Sequence, residues 1–282
     1  MTNLNQFIST ITITKDNNKG LFRTLNSLSN LNTKPLEVIV VNGNSEDSDI
    51  NTLIDKFKLG LTINFVNESD EGIYDAMNKG KNLAKANLIH YLNAGDEVHK
   101  DIYKNVNATC LLPVKIIDEV TGYYWYDKPK LFGFAYCHQG IIFESNHEPY
   151  NLNYKIGSDF NTIVSQFPNG LSELKINDNG YVTFYLGGIS SQKAKIGNFD
   201  IIKIIWKNLT FRKATLITFI ILIKSFIPRF IRRLLMHACK KKITFLIAQK
   251  YSFKNLKNLK FTIFYGIFTM KDAINFHHFF YI

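Results

Sequence analysis

The residues FISTITIT (7–14) alternate apolar and polar side chains and are rich in β-branched types. That pattern predicts a strand with one face buried. A polar loop (15–20) follows, after which Leu21, Leu25 and Leu28 recur at helical spacing. The run LEVIVVN (36–42), set off by Pro35, is continuously apolar, as expected of a strand covered on both faces. A turn is read at 43–49, a short helix at 50–57 and a third strand, LTINFV, at 61–66. The segment from Ile73 to Ala84 reads as a helix with Ile73, Met77 and Leu83 turned inward, and NLIHYLN (87–93) as a fourth strand. Strands alternating with helices at this spacing predict a mostly parallel, Rossmann-like α/β sheet with right-handed crossovers. No internal repeat is visible. From 97 to 135 the pattern fades, and GYYWYDKPKLFGFAY is crowded with aromatic residues.

In such a sheet ligands bind beyond the carboxyl ends of the strands. Four groups stand there: Thr14 to Asn17, Asn42 to Asp47, Glu68 to Gly72, and Asn93 to Asp96. All are polar and each contains an acid. Asn and Asp are ordinary turn formers, but four such loops on one edge point to a site. Carboxylates in that position can hold a divalent cation against a phosphorylated ligand.

Charge divides the chain in two. Residues 201–282 hold sixteen Lys or Arg against the single acid Asp272, whereas residues 1–200 hold eighteen bases and twenty-two acids. The net +11 is therefore a C-terminal property, which fits an enzyme with a basic appendage better than a uniformly basic nucleic-acid binder. The expected organisation is a catalytic domain at 1–200 and an extension at 201–282. Cys110, Cys137 and Cys239 are scattered and odd in number, giving neither a disulfide framework nor a zinc spacing, so a reducing compartment is expected. The N-terminal residues lack a basic region followed by an apolar core, so no signal peptide is expected.

The segment ESDEGIYDAMNKG, followed by LNAGD, resembles the signature of the family 2 glycosyltransferases. The similarity is to the branch that includes colanic-acid and other polysaccharide-assembly enzymes, and it extends over roughly residues 7–167. The resemblance implies a GT-A fold and transfer of a sugar from a nucleotide diphosphate donor. Within ITITKDNNKG it places Thr14 and Asp16 beside the nucleotide base. VIVVNGNSEDSD resembles the family's VIVDGGSTDGT turn, with Asn42 where an Asp normally meets uracil. A UDP-sugar is expected ahead of a GDP- or dTDP-sugar. Asp70, Gly72, Asp75 and Asn78 take the places that lie along the donor, and Asn93 joins them.

LNAGD stands where the family carries its metal motif, which leaves Asp96 as the expected ligand of Mg2+ or Mn2+. CHQGIIF (137–143) and YKIGSDF (154–160) resemble later elements of the same branch, placing His138 and Gln139 near the acceptor or the diphosphate. Asp159 then becomes the expected catalytic base of an inverting displacement, a role that needs a carboxylate near the anomeric carbon. Asn42, Asn93, Gly95 and Ser158 depart from the common pattern, so a degenerate, non-catalytic relative stands as one alternative. A basic membrane- or nucleic-acid-binding protein is the other, and it leaves the acidic strand-end loops unexplained.

ATLITFIILI (214–223) is apolar for ten residues before Lys224, where a spanning helix needs about 20. FIPRFIRRLLMHACKKKITFLI and KNLKNLK mix large apolar residues with clustered bases. That composition predicts a helix lying in the interface of an anionic membrane. The expectation is a peripheral enzyme on the cytoplasmic face of a bacterial inner membrane, serving surface polysaccharide or lipopolysaccharide assembly with a glycan or lipid-linked acceptor.

Overall fold

The computed structural model describes residues 3–43, 49–129, 133–186 and 194–226. The chain forms two compact units, Met1–Ala214 and Thr215–Ile282. Asp47 and the basic segments beyond residue 226 lie outside the described residues.

The first unit opens with the expected alternation: β1 (Asn3–Thr14), α1 (Asn18–Ser29), β2 (Thr33–Asn42), α2 (Asp49–Phe57), β3 (Ile63–Asn67), α3 (Ile73–Leu83) and β4 (Leu88–Tyr91). β1 pairs parallel with both β2 and β4, and β2 pairs parallel with β3. Asn17 caps α1, its Oδ1 accepting the Gly20 N–H at 3.0 Å. Thr14 stands opposite Asn42, so the two strand ends are level.

The weakly patterned region is itself structured. It forms β5 (Glu97–Lys100), β6 (Cys110–Leu111), β7 (Val114–Asp118) and β8 (Tyr123–Tyr126), followed by β9 (Ile141–Glu144), α4 (Ser158–Gln166), β10 (Gly180–Tyr185), α5 (Ala194–Asn208) and α6 (Phe211–Phe226). β9 pairs antiparallel with β4 and β6, giving a six-stranded sheet in the order β3-β2-β1-β4-β9-β6. A second sheet runs β5-β10-β7-β8. The large sheet is thus parallel through four strands and antiparallel at one side, which gives the expected α/β architecture.

Ile11, Ile13, Ile39, Val41 and Ile89 meet Tyr74, Ala76 and Met77 of α3 in one buried cluster. Gly80 permits this approach, because a β-carbon there would stand 2.5 Å from Ile11 Cγ2. Leu83, expected to face inward, is exposed instead; it ends the helix, past the turn that Gly80 seats on the sheet. α6, taken by itself, exposes Leu216, Phe219 and Leu222 at three-residue spacing. No described helix is long and apolar enough to cross a membrane.

Candidate active site

The polar strand ends do converge. Asn42 is fully buried, and its Nδ2 donates to Asn67 Oδ1 at 2.9 Å, clasping the ends of β2 and β3. Thr14 closes β1, where its carbonyl accepts the Gly43 N–H at 3.0 Å. Asp16 follows in an exposed left-handed turn (φ 51°). Asp70 reaches the same place from β3, its Oδ1 accepting the Gly72 N–H at 2.9 Å. Its Oδ2 lies 2.5 Å from where a β-carbon on Gly43 would stand, so only glycine at 43 admits that carboxylate to the end of β2. Gly72 itself has φ 126°, a backbone that other residues rarely adopt.

Two of the expected donor contacts are engaged within the protein. Asp75 Oδ2 accepts the Glu71 N–H at 3.0 Å and pairs with Lys79 one turn on, at 3.2 Å, so it stabilises the start of α3. Asn78 spans the Tyr150 backbone, donating to its carbonyl at 2.9 Å and accepting its N–H at 2.8 Å. That double bond joins α3 to the loop before α4.

The LNAGD turn is held by α1. Thr24 Oγ1 lies 2.7 Å from the Asp96 carbonyl and 3.2 Å from that of Asn93, and it accepts the Gly95 N–H at 3.0 Å. The turn thereby drives Asp96 inward until only 5% of it is exposed. Its Oδ1 accepts the Tyr185 N–H at 2.9 Å. Burial pushes this carboxyl up to about 7, against the opposing pull of that N–H, Gln139, His138 and Arg23. Asn93 Oδ1 is buried with no hydrogen-bond donor in reach. A buried carboxylate and an orphaned carbonyl oxygen one turn apart are oxygen donors of the kind a hard divalent cation takes. Among the described residues no three His, Cys, Asp or Glu side chains converge, so a cation at Asp96 would draw its remaining ligands from diphosphate and water.

Opposite this turn stands the 3₁₀ turn His138–Gly140. Gln139 Oε1 accepts the Asn93 N–H at 3.2 Å, and His138 Nδ1 lies 3.3 Å from Asp159 Oδ2. His138 is within electrostatic reach of both Asp96 and Asp159, so the two carboxylates share one histidine. Asp159, 30% exposed at the start of α4, accepts the Phe160 N–H at 2.8 Å and faces the Tyr74 hydroxyl at 2.9 Å. Burial opposes its ionisation, but His138, the Phe160 N–H and the Tyr74 hydroxyl together hold the carboxyl below its ordinary value. The site therefore contains one carboxyl poised to take a proton and another that resists ionising alone.

Several supporting residues carried no signal in the sequence. Tyr74 lies between the Ile156 carbonyl and Asp159, and its hydroxyl proton can go to either. Asp200 of α5, 5% exposed, accepts the Ile156 and Gly157 N–H groups at 3.0 and 3.4 Å, fixing the chain just before Asp159. A buried chain runs Thr10 to Tyr103 to His90 (3.0 and 2.7 Å) and ends on the Gln139 carbonyl at 2.7 Å. Arg23 lies over the Tyr185 ring at 4.3 Å and pairs with Glu119 at 3.1 Å.

The structure thus brings together a Rossmann-like sheet, a buried turn acid and a second acid paired with a histidine. Residues 9–137 match the family model of Glycosyl transferase family 2. Among curated proteins the chain is similar to PGL/p-HBAD biosynthesis glycosyltransferases of Mycobacterium bovis and Mycobacterium tuberculosis. Each is 28% identical over 162 residues, which cover 51% of this chain and 63% of the relative. The chain thus matches a little under two thirds of the length of those relatives. Its fold is like that of S. aureus TarS 1-349 in complex with UDP-GlcNAc (TM-score 0.55, 14% identity, 77% of this chain and 70% of that one). It is also like that of the mannosyltransferase PcManGT from Pyrobaculum calidifontis in complex with GDP-Man and Mn2+ (TM-score 0.52, 11% identity, 71% and 63%).

Proposed function

We propose that the protein moves one sugar from a nucleotide diphosphate donor to a hydroxyl of a glycan or lipid-linked acceptor, inverting the anomeric centre. The reading rests on one observation: the His138–Gln139 turn stands between the two acids, Gln139 accepting the Asn93 N–H of the Asp96 turn at 3.2 Å and His138 lying 3.3 Å from Asp159. Asp159 is the base. The acceptor oxygen attacks the anomeric carbon, its proton passes to an Asp159 oxygen, and the bond to the diphosphate breaks as the nucleoside diphosphate leaves. His138 and Tyr74 keep the carboxylate oriented and charged until then.

Asp96 and Asn93 would hold Mg2+ or Mn2+, which supplies charge neutralisation to the departing diphosphate. A buried carboxyl that ionises reluctantly gains most from a cation beside it. Thr14, Asp16, Asn42 and Asp70 form the donor end, for which a UDP-sugar is the first choice by the family resemblance. The named glycolipid-biosynthesis role of the mycobacterial relatives supports a setting in cell-surface glycan or lipid glycosylation. A peripheral position on the inner face of the plasma membrane fits that setting.

The test is a panel of UDP-, GDP- and dTDP-sugars with Mg2+ or Mn2+, scored for donor hydrolysis and for thermal stabilisation. Asp159→Asn should reduce transfer or hydrolysis by at least about 1,000-fold while leaving nucleotide-induced stabilisation intact. Asp96→Asn should remove the metal requirement along with turnover. Undiminished activity in Asp159→Asn would end the assignment of the base.

A further inference from the structure

Helix α5 shows two unlike faces. One carries Gly197, Asp200 and Ile204, all buried. This face packs on the start of α4 so closely that a β-carbon on Gly157 would stand 2.9 Å from Asp200 Cβ and 3.4 Å from Ile204 Cδ1. The other carries Phe199, Lys203 and Trp206, at spacings of four and three residues that align them along one stripe. Phe199 is 59% exposed and Trp206 47%, and Phe211, 73% exposed, meets Trp206 edge-on at 5.7 Å. Lys203 Nζ lies over the Phe199 ring at 4.4 Å. Lys207 and Arg212, both exposed, flank the stripe. The acid in this stretch, Asp200, is turned inward on the Ile156 and Gly157 N–H groups, so the outward charge is all positive.

Three exposed aromatic rings among cations are costly to leave in water and suit neither a free surface nor a purely ionic partner. They match the boundary of a bilayer, where aromatic rings enter the headgroup region and Lys and Arg meet anionic lipid. We infer that α5 and the turn to α6 dock the protein on an anionic lipid surface through Phe199, Trp206 and Phe211, with Lys203, Lys207 and Arg212 facing the headgroups.

The same helix latches the peptide groups before Asp159 through Asp200. Docking therefore sets Asp159 about one helix diameter (~10 Å) from the headgroups, the placement a lipid-linked acceptor requires. That last step rests on the proposed transferase reading; the docking itself does not.

The test uses the full chain, without nucleotide sugar, and vesicles of phosphatidylcholine with or without about a third phosphatidylglycerol. The protein's two tryptophans differ: Trp125 is buried and Trp206 exposed. In a Trp125→Phe protein, tryptophan fluorescence reports Trp206 of α5 alone. Expected are a blue shift and quenching by brominated lipid on adding anionic vesicles, little change with neutral ones, and loss of both in high salt. A Phe199→Ser/Phe211→Ser variant with unchanged circular dichroism should bind at least tenfold more weakly. Vesicle binding without any change at Trp206 would assign attachment to other residues and overturn the inference. An equal response to neutral vesicles, no vesicle binding, a dimer abolished by Phe211→Ser, or RNA binding that displaces the vesicles would overturn it too. Failure of donor hydrolysis beside normal docking would strike the transferase reading and spare this one.

Discussion

Asp159 keeps its charge because three donors outweigh its burial, and of these the Tyr74 hydroxyl is the one that substitution removes most cleanly. Burial and the neighbouring Asp159 push that hydroxyl well above its ordinary value, so it remains a donor at any working pH. A hydrogen bond to a charged group contributes about 1.5–3 kcal/mol. Tyr74→Phe should therefore lower kcat by about tenfold. It should also move the acidic limb of the pH–rate profile upward, since the carboxylate loses a donor that favours its ionised form. Activity lost with no movement of that limb would make Tyr74 merely a packing residue. The sequence offered no route to this role: Tyr74 and Asp159 lie 85 positions apart, and a tyrosine at the start of an amphipathic helix reads as core. Asp159, Asp96, His138 and Gln139 were legible only through the resemblance to a family signature. Asp75 and Asn78 came with the same signature, yet both are engaged in holding α3.

At the level of elements, the parallel half of the large sheet was legible because each strand is a contiguous run of β-branched residues flanked by an amphipathic helix. β5 to β8 were not. β6 is two residues long, and β8 alternates buried Trp125 with exposed Tyr124 and Tyr126, so apolarity does not mark which face is inside. These short strands nonetheless fix the His138–Gly140 turn. A β-carbon on Gly140 would stand 2.3 Å from Val114 Cγ2, 2.6 Å from Tyr136 Cε1 and 3.0 Å from the Leu112 carbonyl. Gly140→Ala should thus cost about 1–3 kcal/mol of stability, as overpacked cores do. It should weaken turnover as well, by shifting His138 and Gln139 away from the two carboxylates. Denaturant unfolding measures the first effect, and an unchanged midpoint would show that β7 and Tyr136 can yield.

At the scale of the whole molecule, two buried imidazoles and the buried Asp96 carboxyl govern the response to mild acid among the described residues. An unfolded histidine takes a proton near pH 6.5, whereas burial holds both His90 and His147 down to about 4 in the folded protein. Between these values the two rings make the unfolded chain bind more protons, while Asp96, pushed up to about 7, makes the folded chain hold roughly one more. The net loss of stability as pH drops toward 4 is therefore about that of one ring. Each ring contributes at most on the order of 3 kcal/mol to that loss. Urea unfolding at pH 7, 5.5 and 4.5 should show the decline, with a shallower slope in His147→Gln; an identical slope would exonerate that ring.

The order of strands also sets an order of events in time. β1 and β2 join through a short crossover, Ser9 lying beside Glu37, whereas β4 reaches β1 from 80 positions on, Leu88 lying beside Ile8. β9 then adds Ile142 beside His90, and α4 with Asp159 comes later still in the chain. A chain emerging from the ribosome thus carries the polar ends of β1 to β4 before Asp159 has been made. The half-made protein would hold the proposed donor end before the proposed base.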